Sequence, residues 1–133
     1  MQLRMEQVAL IHNLYEQIKD QNMPIQTAYK MVQISNACTE HFHFFEDKMK
    51  QIISAYSEKD SNGNPILLDD NKSIKIRSDS IEECQKQIFE LSNLEVELPD
   101  KYFTLDELKD LKLSLDNMRV LMPFIKENEK VEE

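Results

Sequence analysis

Only one glycine, Gly63, stands in 133 residues, and tryptophan is absent. Phosphate-cradling loops, dinucleotide fingerprints and nucleophile elbows need several glycines for close backbone approach or positive φ, so a single glycine excludes most nucleotide-dependent enzymes. The two cysteines, Cys38 and Cys84, are too few for a disulfide framework. Without a basic-plus-apolar leader they read as reduced, half-buried thiols of a cytosolic protein. No apolar run approaches the roughly 20 residues that span a bilayer. No block of lysine and arginine offers the counterion release that dominates nucleic-acid affinity, which disfavours direct binding to DNA, RNA or an anionic membrane.

What is present is an acidic chain of ordinary globular composition, 41% hydrophobic and 31% charged, with a formal charge of −9. The acidity lies toward the back, where residues 93–133 carry 11 acidic and 6 basic groups. A chain of this length supports one domain, 1–133, and can bury a sufficient core without staples.

The pattern along the chain predicts an α+β fold that is predominantly helical. A long N-terminal helical hairpin occupies 1–57, and a compact unit of short helices with a small antiparallel or mixed sheet occupies 58–125. A flexible acidic tail follows at 126–133. In the hairpin, Val8, Ile11, Tyr15 and Ile18 recur at helical steps over residues 2 to 21, and Asn22 and Pro24 mark a tight turn. The second helix extends from Ile25 to about Tyr56, with Ile25, Ala28, Val32, Phe42, Phe45, Met49, Ile52 and Tyr56 near one seam. Turn-formers at 61–65 lead into a β-hairpin with arms at 66–68 and 73–76. Ser80 and Glu83 have capping-box spacing at the start of a helix whose apolar stripe is Ile81, Cys84, Ile88 and Leu91. Leu94 to Leu98 alternates as a strand with Glu95 and Glu97 toward solvent, and Pro99 stops it. Thr104 and Glu107 repeat the capping box, 111–113 suggests a last short strand, and Ser114 is placed to cap a final helix limited by Pro123.

Few side chains are spaced for chemistry. Cys38 and His41 are three apart on a helix and Cys84 could join them, but His41 and His43 diverge by about 200°, a poor arrangement for one ion. Buried Cys38 with one solvent-facing and one packed histidine is the simpler expectation. Neither cysteine sits in a catalytic signature. Asp60 to Asn64 resembles the start of a calcium loop, yet the positions that need glycine and a bidentate glutamate hold Pro65 and Asn71, so an ordinary turn is expected. Glu95, Glu97, Asp100, Asp106 and Glu107 could pair for acid-base work, but the strand alternation makes the first two a solvated face. The expectation is therefore no catalytic residue, no metal and no cofactor.

The most unusual stretch runs from His41 to Phe45. Phe42 and Phe45 share a helical face, whereas Phe44 is turned about 200° from Phe42. The simpler expectation is burial of the stretch on two sides by its own domain; otherwise Phe44 belongs to an interface. Phe42, Phe44, Phe45 and Met49, together with Glu95 and Glu97, are the candidate protein-binding residues.

Met23-Pro24-Ile25 with Ala28-Tyr29-Lys30, Ala55-Tyr56 with Glu58-Lys59-Asp60 and Asn62-Gly63-Asn64, Glu95-Val96-Glu97-Leu98, Leu105-Asp106-Glu107-Leu108, Leu113-Ser114 and Leu121 to Ile125 resemble, in that order, small uncharacterised proteins of tailed bacteriophages and prophages. The resemblance covers about residues 8 to 125 and rests on turns and capped helix starts. It implies a viral, non-enzymatic protein and carries over no site residue. The expected function is that of an accessory protein that binds a host or phage protein in the host cytoplasm, such as an inhibitor of a host defence protein. The alternative is a head or tail component, located in the virion, that uses the helical hairpin as an oligomerisation strut. A homo-oligomer is compatible with either.

Overall fold

Pro24 opens a helix that meets no further glycine or proline until Gly63, and the resulting α2 runs through Ile25–Tyr56, the bounds expected from the sequence. The computed structural model describes residues 1–70 and 72–126, so the tail expected at 126–133 lies outside the described residues apart from Lys126. They divide into two units, one formed by 1–42 and the chain from Glu95 onward, the other by 43–94. The sequence suggested a division near 57 and 58; the divisions fall instead within α2 and just before Glu95. The fold is α+β and predominantly helical, with a long helix, several short ones and a small antiparallel sheet.

The first unit starts with a strand, not with the expected helix. β1 (Gln2–Arg4) pairs antiparallel with β2 (Glu95–Glu97) in the register Gln2↔Glu97, Leu3↔Val96 and Arg4↔Glu95. Leu3 turns inward while Gln2 and Arg4 face solvent, and the Arg4 amide donates to Gln7 Oε1 at 2.9 Å where the helix begins. α1 then covers Met5–Ile18 and buries Val8, Ile11, Leu14 and Ile18. Leu14 takes the core position that periodicity assigned to Tyr15, which is half-buried.

In this unit α2 buries Thr27, Met31, Ile34, Ser35 and Cys38. Ile25 and Val32, expected on the seam, are exposed. The core tolerates the polar Thr27 because its hydroxyl donates to the Glu107 carbonyl at 3.2 Å, which satisfies a buried donor. Phe103 and Phe124 are fully buried and joined through the backbone: Phe103 N–H donates to Phe124 O at 2.7 Å and Lys126 N–H to Phe103 O at 2.8 Å.

The Thr104 capping box forms as expected. Glu107 N–H donates to Thr104 Oγ1 at 3.2 Å and Thr104 N–H to Glu107 Oε1 at 3.0 Å, opening a short 3-10 turn at Asp106–Leu108. The strand expected at 111–113 is absent among the described residues. The Gln21 side-chain amide occupies the Lys112 backbone, accepting from its N–H at 2.8 Å and donating to its carbonyl at 3.2 Å. Ser114 caps α4 (Leu115–Leu121) by accepting from Asn117 N–H at 3.1 Å.

The second unit contains the end of α2 and α3 (Ile81–Ser92). Ile52, Cys84 and Leu91 form its core, with Phe45, Met49, Tyr56, Ile76 and Ile88 packed against them. Among the described residues the hairpin expected at 66–76 is present as a single antiparallel bridge, Leu67↔Ile74. Its arms also meet the segment after α2 through Ser57↔Ile76 and Lys59↔Pro65. The capping box expected at Ser80 does not form. Its hydroxyl donates to Asp79 at 3.0 Å and accepts from Arg77 instead, and Ile81, expected in the apolar stripe, is exposed.

Candidate functional site

The six side chains suggested by the sequence divide between the units. Phe42, Glu95 and Glu97 belong to the first, Phe44, Phe45 and Met49 to the second. Phe42 stacks on His12 with ring centroids 4.0 Å apart and an interplanar angle of 11°. Glu95 and Glu97 project from β2 into solvent. The Glu97 carboxylate accepts from the Met1 ammonium at 2.9 Å, and its carbonyl lies 3.2 Å from His41 Nε2. Phe45 and Met49 pack on the core of the second unit. Phe44, for which burial within its own domain was the simpler expectation, is 47% exposed.

The groups proposed for chemistry are already engaged or buried. Cys38 is fully buried and burial pushes its thiol up to about 12, while burial also raises Cys84 in the other unit. Both shifts favour the protonated, less nucleophilic thiol. Among the described residues no three His, Cys, Asp or Glu side chains gather closely enough to hold a metal ion. Asp60 forms an ordinary turn: Oδ1 accepts from the amides of Asn62 and Asn64 at 2.9 and 3.0 Å, and Gly63 adopts φ +81°. Asp70 is used in the same way by the Lys72 and Ser73 amides, with the Ser73 bond first among those that hold its carboxyl below the usual range.

Two of the exposed apolar surfaces, one on each unit, border open grooves. On the first, Ile25, Tyr29 and Val32 lie at steps of four and three on α2 and share a helical face. They are 87%, 66% and 42% exposed. A groove of about 240 Å³ lined by Tyr15, Met23, Ala28, Met31 and Val32 runs beside them. The cations near this face are compensated: Lys19 bonds Glu16 at 2.7 Å, and Lys30 bonds Glu107. The sequence pattern contained the signal for this face. Thr27, Met31, Ile34 and Cys38 follow a four-three-four spacing that leaves Ile25, Tyr29 and Val32 outside, and the presence of a threonine in that series hid it.

On the second unit, Phe44 forms one end of an open groove of about 660 Å³ between α2 and α3, floored by Ile52 and Leu91. No family model, curated protein or solved structure matches the chain. Among the described residues no helix is long and apolar enough to cross a membrane.

Proposed function

We infer that this chain acts by binding another protein and not by catalysis, as a bacteriophage or prophage accessory protein working in the host cytoplasm, such as an inhibitor of a host defence protein. The observation that carries the binding role is the exposed face of Ile25, Tyr29 and Val32 on α2. Side chains of this size gain about 1.5–3 kcal/mol each on full burial, of which this unit realises only part. Contiguous apolar surface of this kind marks association sites.

The charge selects the partner. With a formal charge of −9 and the nearby lysines compensated, the chain favours a protein whose contact surface is apolar at its centre and basic at its rim. The protonated thiols of Cys38 and Cys84 agree with a non-catalytic role. The phage setting rests on the resemblance of the turns and capped helix starts described above.

A virion or assembly role is supported by one feature. At 32 residues, α2 is the longest helix among the described residues, the kind of element a strut uses. Two measurements separate the readings. A 1:1 complex with a host protein, loosened severalfold between low and physiological salt, supports the accessory role. A fixed copy number in purified particles supports the assembly role and overturns the first.

A further inference from the structure

The second unit carries a surface whose two walls complement each other. On α2, Phe44, Lys48, Gln51 and Ala55 follow steps of four, three and four, and Glu83, Gln87 and Glu90 on α3, with Leu94 just beyond its end, repeat them. Both rows line the same groove. The Arg77 amide donates to the Tyr56 carbonyl at 2.9 Å, so the chain has returned to the end of α2 just before α3 begins. Gln87 Nε2 then reaches the Tyr56 hydroxyl at 2.6 Å, which sets α3 running back along α2. In an antiparallel pair the matched steps set Phe44 toward Leu94, Lys48 toward Glu90 and Gln51 toward Gln87, and all six side chains line the groove.

We propose that this groove is the contact face of a homodimer, in which the α2–α3 pair of one copy closes on that of a second copy as a four-helix bundle. A two-fold axis along the groove exchanges its walls. Phe44 then meets the partner's Leu94, Lys48 meets the partner's Glu90, and Gln51 meets the partner's Gln87, as an isologous interface requires. Charge argues for a second copy as the occupant. Lys48, Lys86, Glu83 and Glu90 sum to zero in a chain of formal charge −9, so two copies meet here without the repulsion of the remaining surface. None of these four makes an ion pair within the described residues. The apolar end is open to solvent, with Phe44 47% and Leu94 44% exposed.

The face is small. Twelve helical residues give a length of about 17 Å and two helices a width of about 20 Å, hence on the order of 350–500 Å² per copy. That lies below the standard interface, so the dimer is a weak, transient one. This dimer uses a different surface from the one assigned above to a heterologous partner, so either can fail alone.

Sedimentation equilibrium on the full chain from about 10 μM to 1 mM at low salt tests the proposal. The weight-average mass is expected to climb from 15.7 kDa toward twice that value. Lys48→Glu sets like charges against the partner's Glu90, and Glu90→Lys does so against the partner's Lys48; each weakens association at least tenfold. Both residues are exposed, and unchanged circular dichroism checks the fold. Mixing the two variants restores opposite charges at both contacts and recovers the dimer. A mass fixed at 15.7 kDa throughout overturns the proposal, as does wild-type association by either variant alone, or a mixture no tighter than its parts.

Discussion

The Lys30 ammonium closes on both carboxylate oxygens of Glu107, at 3.0 and 2.9 Å, and donates to the Tyr102 carbonyl at 2.9 Å. One side chain on α2 thereby holds the capped turn at 106–108 and the segment before it. Glu107 also accepts from the Thr104 amide, and Lys30 lies 5.9 Å from the centre of the Phe103 ring. Polar bonds and the aromatic core of the first unit meet at this point.

Removing the charge should cost more here than at an ordinary surface pair, because both side chains are partly shielded. Glu107→Gln is expected to lose about 1–2 kcal/mol in urea unfolding at pH 7. The Lys30 bond, followed by the Thr104 amide, holds Glu107 below its ordinary value of 4.5. A carboxyl depressed in the folded state contributes stability that is full above its unfolded value and lost as pH falls through its folded value. The gap between wild type and Glu107→Gln should therefore narrow below about pH 4.5; a gap constant from pH 7 to 3 contradicts the assignment.

Phe103 is fully buried and its backbone bonds the Phe124 carbonyl. Phe103→Ala should cost about 3–5 kcal/mol, lowering the urea midpoint or preventing folding, because the ring cannot be replaced by local collapse. Phe44→Ala, which removes an exposed ring, should stay within about 0.5 kcal/mol of wild type. Equal costs for the two would refute this placement of the core.

His12 presents a buried Nδ1 with no hydrogen-bond partner among the described residues while its ring stacks on Phe42. His12→Phe keeps a flat ring against Phe42 and removes the unpaired atom, so thermal unfolding should show a neutral to slightly raised midpoint, up to about 1 kcal/mol. A drop in stability would point to a bond that His12 makes through this atom.

Much of the helical framework was legible because its signals are local. Pro24 and the absence of glycine set the bounds of α2, and Thr104 with Glu107 and Ser114 with Asn117 supply caps that two to four residues encode. β1 was not legible, since Gln2–Arg4 is a strand only through pairing with residues over 90 positions away. Leu111 to Leu113 looks like a strand, but the Gln21 side chain takes its backbone bonds. The candidate surfaces depended on phase. Apolar character drew Ile25 and Val32 into the seam, whereas Thr27, made buriable by the Glu107 carbonyl, and Met31 hold it. The exposure of Phe44 depends on which side of the α2–α3 pair the hairpin covers, a tertiary fact that no local pattern carries.

Both thiols should be silent in the native protein. With Cys38 at about 12 and Cys84 raised by burial, labelling with an aromatic disulfide reagent at pH 8 should proceed at the rate of unfolding and become fast in urea. Immediate reaction of a thiol in native protein would place that cysteine at the surface and reopen a catalytic reading.

The most direct measurement is affinity capture of the tagged chain from phage-producing cells, run beside Tyr29→Asp, with every co-purifying chain identified by mass spectrometry. Tyr29 is exposed, so the variant keeps its fold and changes only the α2 face. The account predicts one stoichiometric partner with wild type and its loss, by at least tenfold, with Tyr29→Asp. Recovery of no partner, or of the same partner equally with both proteins, would contradict it.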